Sequence, residues 1–282
     1  MSDTQLLQGM DDRVFEKLCQ LIYQHSRICL SSEKKTFLCS RLDKHKRELQ
    51  ADNWGIYLDK LVRAPDAVEI ENVIDLVSTN HTYFFREPSH FERLSQDLLP
   101  ALIKSHPHQR SLLQCWSVAA SSGEEAFSLA ITLAEYERQY GAMDWYIHAT
   151  DISRRVLIKA RASIYDIDQL NLPSMELLTR YFKKGTGEYE GQCKVKDPLI
   201  QRVKFAHANV FQPTLPVPDH LDIIFCRNVL IYFDTPSRQL LITRLENMLE
   251  PGGLLLIGHT ENLSSVSHKL QHLGGGIFRR PH

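Results

Sequence analysis

SLLQCWSVAASSGEEAFSLAITLAEYERQY (residues 111–140) contains a largely apolar run, then a turn with one glycine, then a segment whose apolar residues have helical spacing. We interpret it as a buried strand, a tight turn at Gly123 and a helix. The same order returns in DWYIHATD (144–151) with ISRRVLIKARASIY, and in HLDIIFC (220–226) with TPSRQLLITRLENMLE, and GGLLLIGH (252–259) adds a further strand. Strands that alternate with helices of this length predict an α/β fold with a doubly wound, mostly parallel sheet.

The residues before this alternation have a different pattern. From residue 12 to about residue 75, apolar side chains recur three and four positions apart, which predicts helices, and no strand pattern interrupts them. We therefore predict an all-α N-terminal domain over residues 1–75, a linker over 76–90 and the α/β domain over 91–282.

One segment of the α/β domain departs from the alternation of strands and helices. In YFKKGTGEYEGQCKVKDPLIQRVKF (181–205), Gly185, Gly187 and Gly191 separate short alternating runs. This pattern predicts a small antiparallel β-subdomain inserted at about residues 180–205.

Composition restricts the function. Lys and Arg total 33 against 34 Asp and Glu, so no overall field attracts nucleic acid or an anionic membrane. The six cysteines form no CxxC pair and have no histidine at zinc spacing, so we expect no metal site and no disulfide framework, but buried thiols in a reducing compartment. The acidic N-terminal stretch lacks the apolar core of a signal peptide, and no run approaches the roughly 20 apolar residues of a membrane helix, so we expect a cytoplasmic protein.

Ligands of an open parallel sheet bind at the carboxyl ends of its strands, so the residues after each strand are candidates for a site. After the first strand, Ser122 and Glu125 fit a capping box. Glu124 and Glu125 would repel a phosphate at this helix N-terminus, and the GxGxxG fingerprint of dinucleotide sites is absent. The loop suits a cofactor with sugar hydroxyls and a positive charge, such as a sulfonium, better than NAD or ATP.

The later strands also end in polar residues. Asp151 stands where such folds bind a ribose, although its position before a helix favours a plain N-cap. Asn209 and Val210 end the third strand, and Arg227 and Asn228 follow the fourth. Beyond them, Tyr232 has a plain alternative as a core aromatic and Asp234 as a helix cap, but that alternative gives Arg227 and Asn228 no task.

A local positive charge lies in the helical region. Lys34, Arg41 and Lys44 share one predicted helix face, and residues 31–50 carry six basic against three acidic side chains. An ordinary solvated helix face and a surface for an acidic partner both fit this pattern.

Five stretches together resemble one known family. They are STNHTYFFREP (78–88), WSVAASSGEEAFSLAI (116–131), HATDIS (148–153), IFCRNVLIYFD (224–234) and LEPGGLLLIGHTENL (249–263). In this order they are similar to the CheR chemotaxis receptor methyltransferases, which transfer a methyl group from S-adenosylmethionine to receptor glutamates. The resemblance covers nearly the whole chain.

The resemblance implies a role for each candidate residue. Arg86 and Tyr232 would act near the transferred methyl group, and Phe84 and Phe85 would anchor the linker in apolar surface. The residues expected to bind S-adenosylmethionine, and its product S-adenosylhomocysteine, are Asn80, Thr82, Arg86, Glu124, Asp151, Asn209, Val210, Arg227 and Asn228. The expected partner is the cytoplasmic helical bundle of a receptor, recognised by Lys34, Arg41 and Lys44. Gly185, Gly187 and Gly191 would form a loop that docks the receptor's C-terminal tail.

Other functions fit parts of the same pattern. A carboxylate is already a competent nucleophile at neutral pH, so such a transfer requires neither a general base nor a metal. A catalytically silent S-adenosylmethionine-binding scaffold would keep the pocket, and a small-molecule methyltransferase would keep the pocket and the chemistry. A dehydrogenase is disfavoured by the acidic first loop, and an RNA methyltransferase by the balanced charge.

Overall fold

The computed structural model describes residues 9–63, 66–105, 112–141 and 143–282. The chain divides into two compact units. One comprises residues 1–79 with 232–237, and the other comprises residues 80–231 with 238–282.

The first unit is helical. Its helices are α1 (Asp12–Ser26), α2 (Lys35–Glu48), α3 (Trp54–Arg63) and α4 (Ala67–Val77), with a 3-10 turn at Ser32–Lys34. Asp11 and Asp66 cap α1 and α4 by accepting hydrogen bonds from backbone amides of the first turn. The apolar spacing places Leu18, Leu38 and Leu42 in the core with no exposed surface.

A buried polar group joins three of these helices. His45 of α2 lies 2.8 Å from the Tyr57 hydroxyl of α3 and 2.7 Å from the Glu69 carboxylate of α4. Every polar atom of the histidine ring therefore has a partner, as burial requires.

The second unit is built on a seven-stranded sheet and a three-stranded sheet. The strands in the described part of the chain are β1 (Leu112–Val118), β2 (Asp144–Asp151), β3 (Ile164–Asp166), β4 (Phe182–Lys184), β5 (Gln192–Val195), β6 (Val203–His207), β7 (Leu221–Cys226), β8 (Leu249–Ile257), β9 (Gln271–Gly274) and β10 (Ile277–Arg279). The main sheet has the order β6-β2-β1-β7-β8-β10-β9. Its first five strands are parallel, and β10 runs antiparallel to both of its neighbours. The predicted fold class is confirmed.

Helices connect and flank the strands. They are α5 (Ser89–Arg93), α6 (Leu99–Ser105), α7 (Glu124–Tyr140), α8 (Arg154–Ala162), α9 (Met175–Tyr181), α10 (Asp197–Ile200) and α11 (Thr235–Met248), with a π-helical turn at Leu94–Leu98 between α5 and α6. Trp116 of β1, Phe127 of α7 and Phe225 of β7 are fully buried, so the core lies on the central strands. No helix in the described ranges is long and apolar enough to cross a membrane.

The small sheet begins earlier than the sequence pattern indicated. Its order is β3-β5-β4, all antiparallel, so its first strand, Ile164–Asp166, precedes the insertion expected at about residues 180–205. Val203–His207, at the end of that predicted insertion, pairs instead with β2 in the main sheet. A strand of three residues directly after a helix is too short to show an alternating pattern.

The cysteines differ in one respect from the prediction of buried thiols. Cys39, Cys115, Cys193 and Cys226 are buried as predicted, but Cys19 is half-buried and Cys29 is exposed. Cys29 follows the left-handed residue Arg27 that ends α1, where the chain leaves the helix.

Candidate active site

The candidate site lies where the carboxyl ends of four parallel strands meet. The strand order reverses beside β1, with β2 and β6 on one side and β7 and β8 on the other. Loops diverge at such a reversal and leave a crevice, which is the usual ligand position in open α/β sheets.

The loop after β1 is bonded to its neighbours on two sides. The Ser121 amide donates to the Asp151 carboxylate at 2.8 Å, and the Ser121 hydroxyl donates to the Asn80 carbonyl at 3.0 Å. Gly123 has φ +100°, and an added Cβ would lie 2.9 Å from the Tyr165 hydroxyl oxygen. Only glycine therefore fits this turn. The turn brings together three segments that hold predicted site residues: the loop after β1, the end of β2 and the linker.

The predicted capping box is wrong. Gly123 occupies the N-cap of α7, the Ser122 hydroxyl donates to Glu124 at 2.8 Å, and Glu125 accepts from the Ser117 hydroxyl at 2.7 Å. The left-handed glycine takes the cap position, so Ser122 is outside the helix. Burial raises the pKa of both Glu124 and Glu125.

Asp151 ends β2 and is buried, with only 4% of its surface exposed. It accepts hydrogen bonds of 2.8 Å from the amides of Ser121 and Ser153. Its alternative as the N-cap of α8 is wrong, because Ser153 occupies that position and accepts from the Val156 amide.

The linker is anchored by its aromatic pair, as predicted. Phe84 is 1% exposed and packs edge-on against Tyr165 and Phe182, while Phe85 packs against Phe91. Between these rings and α5, Arg86 folds back on its own segment and donates to the His81 carbonyl at 2.9 Å.

In the loop after β7, Arg227 and Asn228 form ion pairs and hydrogen bonds that the sequence pattern does not predict. The Arg227 guanidinium is buried, lies 3.2 Å from Glu87 and 3.8 Å from Glu125, and donates to the Arg86 carbonyl. The Asn228 amide donates to Glu87 at 3.3 Å. Burial alone would raise the pKa of Glu87, but Arg227 and the donors Asn228 and His259 outweigh burial and hold that pKa below its ordinary value.

Two of the remaining cofactor candidates, Asn209 and Val210, lie beside Asp151. The Ala208 amide donates to the Asp151 carbonyl at 3.0 Å, so Asn209 and Val210 follow directly at this edge. The Asn209 side chain accepts from the Phe211 amide at 2.9 Å, and Arg244 donates to the Val210 carbonyl. Thr82 lies half-buried in the linker.

Tyr232 belongs to the helical unit and is half-buried, so it is not one of the fully buried core aromatics. Its carbonyl accepts from the Cys29 amide at 2.9 Å. Asp234 accepts from the Ser237 amide at 2.9 Å, as expected of a helix cap, and from the Tyr23 hydroxyl at 2.8 Å.

The predicted substrate-recognition residues are exposed in both units, except Gly185, which is half-buried. Lys34 and Arg41 lie against the ring of Phe37, and Lys44 pairs with Glu48 at 3.5 Å. In the small sheet, the turn between β4 and β5 holds left-handed glycines at 187 and 191, while an added Cβ on Gly185 would collide with the Tyr189 carbonyl.

Three potential metal ligands lie close together in this region. The ligand atoms of Glu87, His90 and His259 are within 4.8 Å of one another. Arg227, Asn228 and the His259 amide already donate to the Glu87 carboxylate. We therefore infer that the Glu87 carboxylate holds the linker in place by accepting these hydrogen bonds. Burial lowers the pKa of His90 to about 4, and its Nε2 lies 2.6 Å from the Gly275 carbonyl, to which it donates.

Three carboxylates of this edge are not among the site residues predicted from the sequence. Glu87 and Glu125 flank Arg227, and Glu261 accepts from three backbone amides. Each stands in a stretch that carried the family resemblance, in FFREP, SGEEA and GHTEN, which was the signal available.

The residues present fit a nucleoside cofactor with a zwitterionic tail. Asn80 Nδ2 is buried and has no hydrogen-bond partner in the part of the chain that the structure describes, so the site offers a donor that a carboxylate or hydroxyl can satisfy. Fold and site together fit the class of α/β domains that bind a nucleoside cofactor at an acidic edge of the sheet.

Comparison with known proteins identifies the family. Residues 80–278 match the model of the CheR methyltransferase SAM binding domain, and residues 13–78 match that of the CheR methyltransferase all-alpha domain. The chain is 37% identical over 270 residues to a chemotaxis protein methyltransferase of Salmonella typhimurium, covering 96% of this chain and 91% of the relative. It is 36% identical over 271 residues to the chemotaxis protein methyltransferase of Escherichia coli, covering 96% and 91%.

This protein belongs to the CheR methyltransferase family. The resemblance inferred from the five stretches is confirmed, and S-adenosylmethionine is the methyl donor. The alternatives of a silent scaffold and a small-molecule methyltransferase are not favoured.

Proposed function

We propose that this protein methylates glutamate side chains of chemotaxis receptors, producing glutamate methyl esters and S-adenosylhomocysteine, and so serves sensory adaptation. The observation that carries the proposal is the match along nearly the whole chain, helical unit included, to relatives named chemotaxis protein methyltransferase. A match confined to the cofactor domain would support methyl transfer but no particular substrate.

The chemistry needs alignment more than acid–base help. When bound, S-adenosylmethionine supplies an electrophilic methyl group: a glutamate carboxylate oxygen forms the new C–O bond, and the electrons of the broken C–S bond remain on sulfur. No proton moves. Holding the two reactants in line can contribute roughly 7–11 kcal/mol in favourable cases.

We assign the two catalytic roles to Arg86 and Tyr232. The guanidinium of Arg86 can orient a carboxylate in a forked geometry, and the hydroxyl of Tyr232 can position the same group. In this structure Arg86 donates to the His81 carbonyl, so engaging a substrate requires that side chain to turn.

The cofactor would be held by the edge described above. Asp151 supplies a buried carboxylate for the ribose hydroxyls, Glu124 adds acidic character, and Asn80 supplies the unpaired buried donor. Thr82, Asn209, Val210, Arg227 and Asn228 complete the proposed contacts.

Two exposed surfaces would recognise the receptor. Lys34, Arg41 and Lys44 offer positive charge to an acidic helical bundle, and complementary charge chiefly raises the association rate. The turn that contains Gly185, Gly187 and Gly191 adjoins β4, an edge strand that can pair with an extended receptor tail. Tethering by the tail would raise the local enzyme concentration without altering the active site.

This function gives each part of the chain a role. Residues 1–75 would recognise the receptor, residues 76–90 would close over the cofactor, and residues 91–282 would bind it. The protein would act in the cytoplasm, recruited to membrane receptor arrays.

The test is a transfer assay with methyl-labelled S-adenosylmethionine and a cytoplasmic receptor fragment, scored for label released by base. The matched control is the same fragment with its exposed glutamates replaced by glutamine. We expect base-labile label on the first fragment only. Absence of label on both, for enzyme shown to bind S-adenosylhomocysteine, would refute receptor glutamates as the substrate.

A further inference from the structure

The loop after β7 is held by a carboxylate that the proposed function does not use. Glu261, 8% exposed, accepts hydrogen bonds from the amides of Asn228 and Leu230 at 2.8 Å and of Gly258 at 2.7 Å. Three amide donors replace the water that a carboxylate loses on burial. The carboxylate therefore fixes the chain segments that carry those amides.

A second carboxylate holds the side chains of the same loop. Glu87 lies 3.2 Å from the Arg227 guanidinium and accepts from the Asn228 side-chain amide at 3.3 Å. It also accepts from the His259 amide at 3.2 Å. The two residues that follow β8 thus donate to different carboxylates: the Gly258 amide to Glu261 and the His259 amide to Glu87.

Asn228 is where the two sets of bonds meet. Its backbone amide goes to Glu261 and its side chain to Glu87, and it adopts the left-handed φ of +58°. A side chain other than glycine at 258 would place Cβ 2.6 Å from Asn228 Nδ2 and 2.9 Å from Glu261 Oε2. Contacts with Glu261, Glu87 and Gly258 therefore hold the loop in this conformation.

We propose that Glu261 and Glu87 are positioning residues that hold Arg227 and Asn228 in the conformation that binds the cofactor. This inference rests on the proposed cofactor contacts of Arg227 and Asn228. Neither carboxylate touches the cofactor in this proposal. Each raises the fraction of molecules whose loop is competent, and apparent affinity falls in proportion when that fraction falls.

The test measures the dissociation constant of S-adenosylhomocysteine by calorimetric titration at a temperature where every variant is folded. Glu261→Gln replaces one acceptor oxygen by an amide nitrogen, which must face a backbone donor. If only about a tenth of the loops stay competent, affinity weakens about tenfold. Glu87→Gln should weaken it in the same direction.

The double variant distinguishes positioning from general destabilisation. Once one carboxylate has released the loop, loss of the other has less to release, so the combined effect on affinity should be smaller than the product of the single effects. Effects that multiply would show independent sites and overturn the shared role.

Glu135→Gln is the matched control. This carboxylate also accepts several bonds, from Arg138, Arg180 and Tyr181, but it lies on α7, and its partners Arg180 and Tyr181 lie on α9. We expect a lowered melting temperature and unchanged affinity. Wild-type affinity in both Glu261→Gln and Glu87→Gln, or an equal loss in Glu135→Gln, would overturn the inference.

A measurement on the wild type covers the case in which Glu261→Gln does not fold. The amides of Asn228, Leu230 and Gly258 should exchange with deuterium only at the rate of the most protected core amides. Rapid exchange in the folded protein would overturn the inference. Methyl transfer is not measured in these experiments, so they can fail while the receptor assay succeeds, and the reverse.

Discussion

The carboxyl edge of the sheet and the basic face of α2 both carry charges needed for the proposed function, but they hold them in opposite ways. At the edge, the side chain of Arg227 is 1% exposed and paired with acids, whereas the side chain of Lys44 on α2 is 83% exposed. Buried charges are worth several kcal/mol when their partners are lost, and exposed ones are screened by salt. The edge should therefore act through conformation and affinity, and the α2 face through association rate.

The largest effect expected from this difference is the loss of Arg227. Arg227→Met leaves the carboxylates of Glu87 and Glu125 without their cation and should lower the free energy of unfolding by about 3–5 kcal/mol. Arg63→Met on α3, which breaks an exposed pair with Asp59, should cost under about 1 kcal/mol. Urea unfolding measures the loss in free energy of unfolding for both variants. Equal losses would contradict the difference between buried and exposed charges.

Asp151→Asn should come next. It removes a charged acceptor proposed to bind the cofactor, and such bonds contribute about 1.5–3 kcal/mol, so affinity for S-adenosylhomocysteine should fall at least about tenfold. Ser153→Ala is the control, because it removes the actual cap of α8 and should cost about 1 kcal/mol of stability with affinity intact. The assignment fails if titration finds Asp151→Asn binding as tightly as wild type.

Acid should expose the cost of a buried neutral histidine. The pKa of His90 is lowered to about 4 from its ordinary 6.5, so the unfolded chain binds this proton first on acidification. The free energy of unfolding should therefore drop between pH 6.5 and pH 4, by up to about 1.4 kcal/mol per pH unit. The same drop should be shallower in His90→Gln, measured by urea unfolding across that range. Parallel pH profiles would show that His90 does not titrate in this window.

The two proposed catalytic side chains should differ in kind. Arg86→Ala should lower both cofactor affinity and turnover, while Tyr232→Phe should reduce turnover alone, by about three- to tenfold for one neutral hydrogen bond. Steady-state rates and titration of the same preparations separate them. Wild-type turnover in Tyr232→Phe would remove its hydroxyl from the mechanism.

The smallest effects should come from the basic side chains of α2 and of the 3-10 turn before it. Lys34→Gln and Arg41→Gln should lower kcat/KM for a receptor fragment about twofold each at low salt, and the deficit should vanish at about 0.5 M salt because exposed charges are screened. Lys44→Gln should do less, since Glu48 already pairs with Lys44. A deficit that persists at high salt would indicate direct packing instead of long-range attraction.

The regular alternation made the fold readable from sequence. The sequence pattern predicts a strand at DWYIHATD, and β2 has the same bounds, because a run of this length shows the pattern along the whole strand. Ile164–Asp166 was not found, since three residues show no period. The turn after β1 was placed correctly, but its capping box was not, because glycine at position 123 displaces the serine from the cap.

The site was readable only in part, for a different physical reason. Residues at strand ends could be named from topology, as Asp151 was. The partner of Arg227 lies 140 positions earlier in the chain, at Glu87, and two of the three amides that donate to Glu261 lie 31 and 33 positions earlier, at Leu230 and Asn228. Bonds of this kind are set by the folded backbone and leave no local pattern.

The turn between β4 and β5 owes its shape to glycine. Gly187 and Gly191 adopt φ of +62° and +83°, and Gly185 has room for no side chain, while Thr186, Glu188, Tyr189 and Glu190 all face solvent. Backbone shape and surface chemistry are thus controlled by separate residues. The four exposed positions can be exchanged without redesigning the turn, which makes this small loop a natural place for divergence between related enzymes and a convenient one for engineering new selectivity.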